Sequence, residues 1–92
     1  MLDIHFTKQM HQGIKRMAKR GKDLGKLEAV IDMIANGEKL PNELSDHKLS
    51  GDLRGYRECH IENDWLLIYK VIEDRLMLVA VNTGNHSDLF GE

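Results

Sequence analysis

The chain has 92 residues, which is enough for one domain with a modest core but not for a second domain. We therefore expect residues 1–92 to form a single domain. The formal net charge of -2 argues against a protein that binds nucleic acid over its whole surface. The charge is uneven, because residues 1–26 hold seven Lys or Arg but only two Asp. A local basic patch of this kind can contact RNA, and a solvated helix face explains it equally well.

Cysteine use and hydropathy indicate the compartment. The single cysteine, Cys59, excludes an internal disulfide framework and fits a reducing cytoplasm. A small buried apolar residue on a strand is a better interpretation of Cys59 than a nucleophile. No apolar run approaches the roughly 18 to 20 residues that a membrane span needs. We expect a soluble cytoplasmic protein that has no membrane partner.

The first half of the chain predicts a short strand and two amphipathic helices. Residues 2–6 alternate apolar and polar side chains, which is typical of a strand. Thr7 is a suitable N-cap for a first helix, which ends at Gly21. Asp23 is a suitable N-cap for a second helix, which ends at the Asn-Gly pair at residues 36–37. The apolar positions at helical spacing are Met10, Ile14, Met17 and Ala18 in the first helix, and Leu27, Val30, Ile31 and Ile34 in the second. These stripes predict an antiparallel helix pair that packs on an apolar surface.

The second half predicts strands that follow a loop. Residues 37–52 contain the only proline and several polar residues, which is typical of a loop. Three strands are predicted at residues 53–61, 65–72 and 75–81, with turns at residues 62–64 and 73–74. The middle strand is apolar on both faces and should be central in the sheet. A short last helix is predicted to begin at His86 or Ser87 and to end at Phe90.

Three histidines and a carboxylate stand in this second half, namely His47 in the loop, His60, Asp64, and His86 near the C-terminus. Imidazole is the side chain whose ordinary pKa lies closest to neutrality, so a cluster of them predicts a general acid-base site. Any one histidine alone is more often a half-buried residue with a hydrogen bond. Asp64 can likewise be a simple hairpin residue, with Trp65 in the core.

A zinc site formed by His47, His60 and His86 is another use of the same residues, because three imidazoles and an open position define many catalytic zinc centres. The spacing argues against it, since no pair lies at the i, i+4 separation of the H-E-x-x-H motif. We therefore expect no metal and no cofactor. The other two histidines, His5 and His11, match no motif and should lie on the surface.

Four segments of the chain resemble the YafQ branch of the RelE-type bacterial toxins, in matching order and with near-matching spacing. They are His47-Lys48-Leu49-Ser50-Gly51, Gly55-Tyr56-Arg57-Glu58-Cys59-His60, Asp64-Trp65-Leu66-Leu67-Ile68-Tyr69-Lys70 and Thr83-Gly84-Asn85-His86-Ser87-Asp88-Leu89-Phe90. The resemblance implies a RelE-like α+β fold, in which two N-terminal helices pack on a mainly antiparallel sheet of about four strands and a short C-terminal helix follows. It also implies a ribosome-dependent endoribonuclease that cuts messenger RNA. A cognate antitoxin would silence it in a toxin-antitoxin hetero-oligomer.

The resemblance also implies roles for individual residues. It assigns catalysis to His47, His60, Asp64 and His86, and the shape of the site and contact with RNA to Trp65 and Phe90. Metal-free cleavage uses the ribose 2′-hydroxyl as an internal nucleophile, so the protein must supply a base, an acid for the leaving 5′-oxygen, and positive charge for the phosphate. We expect His86 to act as the acid and His47 to contact the phosphate. The base remains open between Asp64 and His60.

Asn82 departs from the pattern of the resembling toxins. An arginine usually stands directly before their Thr-Gly pair, where it neutralises the phosphate, and asparagine carries no charge at any pH. Lys48, Arg54 and Arg57 can supply the missing charge beside Asn82, or the activity is weak. A substitution that lets the producing cell tolerate its toxin is a third explanation. Two functions follow: an active toxin, or a catalytically weak homologue that binds the antitoxin and co-regulates its operon.

Overall fold

Residues 1–91 are described by a computed structural model of the chain. The helices and strands follow the order β1 (Asp3–Phe6), α1 (Lys8–Lys19), α2 (Leu24–Ala35), β2 (His47–Lys48), β3 (Arg57–Glu62), β4 (Trp65–Ile72), β5 (Met77–Gly84) and α3 (His86–Phe90). Short 3-10 turns cover Asn42–Leu44, Gly51–Leu53 and Glu73–Arg75. None of the helices in this described part of the chain is long and apolar enough to cross a membrane.

The strands form one sheet in the order β1-β5-β4-β3-β2. β1 pairs with β5 in parallel, and the other pairs are antiparallel. β4 lies at the centre, as its two apolar faces predicted. The sheet has one strand more than expected, because His47 and Lys48 of the predicted loop pair with Glu58 and Arg57 of β3. A strand of two residues is too short to show a periodic pattern in the sequence.

Turn geometry moves two strand boundaries. The strands predicted at residues 53–61 and 75–81 are observed at Arg57–Glu62 and Met77–Gly84. The first begins late because Gly51–Leu53 forms a 3-10 turn and Gly55 has a φ of 97°, a conformation that glycine adopts without strain. The second begins late because the 3-10 turn Glu73–Arg75, followed by Leu76 with a φ of 53°, replaces the tighter hairpin that we expected.

Both N-terminal helices begin at the predicted caps. Thr7 Oγ1 accepts a hydrogen bond from the Met10 amide at 3.0 Å, and Asp23 Oδ1 accepts one from the Gly25 amide at 2.9 Å. Thr7 Oγ1 also donates to the Val81 carbonyl oxygen at 2.6 Å. The cap therefore ties the start of α1 to β5, in addition to ending the β1 strand.

The buried side of α1 differs in one position from the predicted stripe. Met10 and Met17 are buried, whereas Ala18 is exposed. The third buried residue is Gly13, because α1 crosses β5 so closely that a Cβ at this position would clash with the Thr83 carbonyl oxygen. Ala18 lies about 100° around the helix from Met17, which turns it towards solvent. A glycine in the middle of a helix is thus explained by close approach of the backbones.

Alternate residues of β3 lie on opposite faces of the sheet. Cys59 and Ile61 belong to the core on the face that α1 and α2 cover, and burial raises the pKa of Cys59 to about 12. The cysteine is therefore a core thiol, as expected. Glu58 and His60 alternate with these residues and lie on the other face. We call the two sides the helix-covered face and the site face.

Candidate active site

The contact between Asp64 and His86 is the most direct one on the site face. Asp64 lies in the turn between β3 and β4, and His86 is the first residue of α3. Asp64 Oδ1 accepts a hydrogen bond from the His86 amide at 3.1 Å and lies 2.7 Å from its Nδ1. Since an ionised carboxylate can only accept, Nδ1 carries the proton, and Nε2 is the nitrogen that can act on a substrate. Both hydrogen bonds from His86, that of the ring first, lower the pKa of Asp64.

A capping box sets the position of His86. The Asn85 side chain accepts from the Asp88 amide at 2.8 Å, and Asp88 Oδ2 accepts from the Asn85 amide at 2.9 Å. Asp88 Oδ2 also lies 2.5 Å from Arg20 Nη1 and 3.4 Å from Arg16 Nε. The hydrogen bond from Arg20 is the main cause that lowers the pKa of Asp88 to about 2. The C-terminal end of α1 therefore holds the short helix that carries His86.

Glu58 lies between His47 and His60. Its side chain is only 8% exposed, and its carboxylate oxygens lie 3.7 Å from His47 Nε2 and 3.9 Å from His60 Nε2. The Nδ1 atoms of the two rings face backbone carbonyl oxygens, at 2.6 Å for Ser45 and 3.3 Å for Asn63. Because a carbonyl oxygen only accepts, each Nδ1 carries a proton and each Nε2 is directed at the carboxylate. Protonation of either ring at Nε2 would create an ion pair with Glu58.

The sequence did not single out Glu58 among its 15 acidic residues. One signal could have found it, namely its i, i+2 spacing with His60 on a strand whose intervening residues, Cys59 and Ile61, are apolar. The same alternation puts Glu58 and His60 on one face. No sequence pattern indicates the contact between Glu58 and His47, because this contact depends on the short pairing of β2 with β3.

Three of the predicted catalytic residues, His60, Asp64 and His86, lie side by side, and the fourth, His47, joins them across the buried carboxylate. The ring centroids of His60 and His86 are 5.9 Å apart. The ring centroids of Phe90 and His86 are 6.4 Å apart, and Phe90 is 38% exposed at the rim of the site. Within residues 1–91, no three His, Cys, Asp or Glu side chains are arranged to hold a metal ion. The arrangement offers groups that can transfer protons on an open face.

Trp65 supports the site from inside the core. It is fully buried, and its Nε1 donates to Thr83 Oγ1 at 2.9 Å. Thr83 Oγ1 in turn donates to the Leu66 carbonyl oxygen at 2.7 Å. A buried indole has no free face on which a base could stack, so the structure fits the alternative that Trp65 is a core residue. It anchors the end of the turn that presents Asp64.

A sequence model for the family described as the bacterial toxin of type II toxin-antitoxin system, YafQ, matches residues 2–91. The chain belongs to this family. Over 90 residues it is 40% identical to the mRNA interferase toxin YafQ of Escherichia coli strain K12, which covers 97% of this chain and 96% of that protein. A metal-bound toxin from Helicobacter pylori superposes with a TM-score of 0.92 at 37% identity, over 98% of this chain and 100% of that chain. A chain of the E. coli DinJ-YafQ complex superposes with a TM-score of 0.87 at 39% identity, over 99% of this chain and 100% of that chain. The predicted family and α+β fold are confirmed.

In this YafQ family member, two of the three expected cations point away from the site. Arg57 Nη2 lies 2.8 Å from Asp46 Oδ2 and is half-buried on the helix-covered face. The expectation that Arg57 contacts the substrate therefore does not fit its position. Lys48 pairs in register with Arg57 and so belongs to the same side of the sheet. Arg54 is exposed at the end of the turn that precedes β3. Of the three cations, it is the one whose position leaves it available to contact a substrate.

Asn82 lies at an irregularity of β5, where its Oδ1 accepts from the Thr83 amide at 2.9 Å. The YafQ fold brings another cation next to this point, because Arg16 Nη2 donates to the Thr83 carbonyl oxygen at 3.0 Å. In the sequence, Arg16 is one of the seven basic residues of the patch at residues 1–26. No sequence signal joins two residues that are 67 positions apart. A guanidinium thus lies near Asn82, although it is bound to the backbone and to Asp88.

Proposed function

We propose that this chain is a ribosome-dependent endoribonuclease that cleaves messenger RNA by metal-free acid-base catalysis in the cytoplasm. Membership of a family of type II toxins supports the class, and the relatives named as mRNA interferase toxins support the substrate. One observation carries the reaction type: His86 is held by Asp64 at 2.7 Å and faces the His60 ring at 5.9 Å between centroids. Two imidazoles that are held this close can serve the two ends of one phosphodiester.

The reaction that suits these groups is an internal transfer. The ribose 2′-oxygen attacks the adjacent phosphorus and loses its proton to a base on the protein. The bond from phosphorus to the 5′-oxygen breaks, and an acid donates a proton to that oxygen. The products are a 2′,3′-cyclic phosphate and a free 5′-hydroxyl. Water and a metal ion are not reactants in this step, so the protein needs only a base, an acid and positive charge.

His86 is suited to be the acid. Asp64 accepts the proton on Nδ1, so a protonated ring would present its second proton from Nε2 to the leaving oxygen. A carboxylate that orients an imidazole in this way also stabilises its cationic form, as in the triads of hydrolases. Because Asp64 is occupied by His86, His60 is the better candidate for the base. His47, on the far side of Glu58, is left to contact the phosphate.

The test is cleavage of messenger RNA with and without programmed ribosomes. The protein is used untreated, or after treatment with EDTA and dialysis that removes the chelator before the ribosomes, which need Mg²⁺, are added. We expect cleavage only with ribosomes and no effect of the chelator. His86→Ala should abolish cleavage, because it removes the acid. The fold should be kept, because position 86 is exposed. His5 and His11 are exposed, as predicted, and His5→Ala is the matched control that should cleave normally. Loss of activity after the EDTA treatment, restored by zinc, would support the metal alternative and overturn the proposal.

A catalytically weak homologue that binds the antitoxin and co-regulates its operon is the second candidate, and Asn82 favours it. If a missing cation is the only defect, Asn82→Arg should raise the single-turnover rate roughly ten- to a thousandfold. Asn82→Gln lengthens the side chain without adding charge and should not raise the rate. A fast wild-type rate that Asn82→Arg leaves unaltered means that another cation already acts. A rate of zero that stays zero favours the weak homologue.

We propose a cognate antitoxin as the partner, because solved E. coli structures contain YafQ together with DinJ. The basic helix α1 is the proposed docking surface for an acidic segment of that antitoxin. Arg16 and Arg20 are bound to Asp88, so the exposed Lys15 and Lys19 are the cleaner positions to change. Reversing both lysines to glutamate should slow association and reduce its salt dependence. Reversal of the exposed Lys39, which lies outside α1, is the control. Equal association rates for the two variants would exclude α1.

A further inference from the structure

His47 is placed on a weak element. β2 has only two residues and lies at the edge of the sheet, where it pairs with β3 through His47 with Glu58 and Lys48 with Arg57. The His47 side chain is half exposed. Two residue pairs at an edge do not hold a side chain in one orientation by themselves. Another contact must keep the ring directed at Glu58.

That contact lies on the helix-covered face, directly behind His47. Asp46, the preceding residue, accepts from the Tyr69 hydroxyl through Oδ1 at 2.5 Å and from Arg57 Nη2 through Oδ2 at 2.8 Å. Tyr69 lies on the central strand β4 and is 3% exposed, and Arg57 lies on β3. Asp46 therefore pins the edge strand to two inner strands. The hydrogen bond that Arg57 donates to Asp46 raises the pKa of Arg57, which keeps the guanidinium charged.

The residue on the other side of Asp46 sets the protonation of the ring. Ser45 has a φ of 49°, an uncommon conformation for a residue with a side chain. Its carbonyl oxygen lies 2.6 Å from His47 Nδ1, so neutral His47 is held as the tautomer that carries the proton on Nδ1. Any shift of Asp46 moves both Ser45 and His47. The strain at Ser45 also implies that the segment relaxes when the anchor is lost.

We propose that Asp46, bound to Tyr69 and Arg57, is a positioning residue that fixes the orientation and the tautomer of His47. The inference rests on the proposed function, in which His47 contacts the phosphate. Nδ1 is engaged with Ser45, so that contact is made through a proton taken up at Nε2. Asp46 acts from the opposite face of the sheet and does not touch the substrate. A displacement of about 1 Å in a reacting group can cost a hundredfold in rate. Loss of the anchor should therefore lower kcat by about ten- to a hundredfold, and KM for programmed ribosomes should change by less than about twofold.

The experiment compares three variants of the full chain. Asp46→Ala removes the anchor. Tyr69→Phe removes the hydrogen bond from the Tyr69 hydroxyl to Asp46 and keeps the buried ring, so it tests the proposal even where Asp46→Ala does not fold. Val30→Ala removes two methyl groups from the core side of α2 and controls for a general loss of stability, because Val30 takes no part in the hydrogen bonds of Asp46. Steady-state cleavage, with programmed ribosomes in excess over the protein, gives kcat and KM, and long-range proton-nitrogen NMR spectra give the tautomer of His47. The His47 signals are assigned by their absence in His47→Gln.

The expected result is a lower kcat and a loss of the Nδ1-protonated tautomer in Asp46→Ala, with a smaller change of both in Tyr69→Phe. Val30→Ala should keep the wild-type tautomer and a kcat within about twofold of wild type. The proposal is overturned if the variants at Asp46 and Tyr69 keep the wild-type tautomer, or if their kcat equals that of Val30→Ala. A wild-type protein that cleaves nothing contradicts the proposed function instead. The NMR spectra then still decide whether Asp46 positions His47.

Discussion

The two faces of the sheet hold their side chains by different means. On the helix-covered face, Cys59 and Leu67 are fully buried and are fixed by close packing against α1 and α2. On the site face, the histidines are fixed by hydrogen bonds, such as Asp64 with His86 and Ser45 with His47. Since one strand, β3, supplies residues to both faces, packing on one side provides the rigid support that directional bonds on the other side need.

A few residues connect the two faces. Trp65 is buried beside the exposed Asp64 and is tied to Thr83, and Asp46 reaches Tyr69 from the segment that carries His47. We therefore expect a substitution to have one of three effects. Changes on the site face should reduce activity, changes on the helix-covered face should reduce stability, and changes at the connections should reduce both moderately.

Asp64→Asn should have a larger effect than changes on the helix-covered face or at the connections. Asp64→Asn keeps the shape of the side chain but removes the charge that orients and stabilises the protonated His86 ring. The single-turnover cleavage rate should fall by roughly a hundred- to ten-thousandfold. The Asp64 side chain is 64% exposed, so the midpoint of thermal unfolding should hardly change. A normal rate, or an equal loss of stability and activity, would contradict the division between the faces.

Gly13 tests the helix-covered face. Gly13→Ala should destabilise the protein by about 1–3 kcal/mol, because the added Cβ would push α1 away from the Thr83 carbonyl oxygen. Alanine is by itself the better helix former by roughly 1 kcal/mol, so the sign of the effect decides between propensity and packing. Gln12→Ala, at an exposed position of the same helix, is the control. Urea unfolding measures both, and a stabilised Gly13→Ala would show that α1 does not approach β5 this closely.

Trp65 tests a connection between the faces. Trp65→Phe removes the hydrogen bond to Thr83 Oγ1 and leaves a small gap in the core. The free energy of unfolding should fall by about 1–2 kcal/mol. Cleavage should fall by less than tenfold, because the indole is buried and acts only through the turn that presents Asp64. A loss of activity as large as that of Asp64→Asn, in a variant of normal stability, would instead indicate direct contact between Trp65 and RNA.

Asp88 gives the smallest effect, which depends on pH. Its pKa is lowered to about 2, chiefly by Arg20, so it contributes stability above its unfolded pKa of about 4. This contribution is lost as the pH falls from about 4 to 2. Asp88→Asn should be less stable than the wild type by about 1 kcal/mol at pH 6, and the difference should shrink towards zero at pH 2. Urea unfolding at both pH values measures this difference. A difference that does not depend on pH would exclude the ion pair as its cause.

Local patterns in the sequence determined much of the fold. The caps at Thr7 and Asp23, the buried stripe of α2 and the central position of β4 each depend on residues within a few positions of one another. The order of the four motifs was enough to indicate the YafQ family, which the comparison confirmed. The motifs also indicated His60, Asp64 and His86, which the fold brings together.

The contacts that join distant parts of the chain depend on how the elements pack in three dimensions. The pairing of β2 with β3 puts Glu58 between His47 and His60, and the ion pair with Asp46 removes Arg57 from the site. These results depend on strand register, and a shift of one residue would exchange the two faces. Composition and spacing predict that a residue is charged or apolar at its own position. They do not specify the side chain that lies opposite it, because that partner is set by how the whole chain packs.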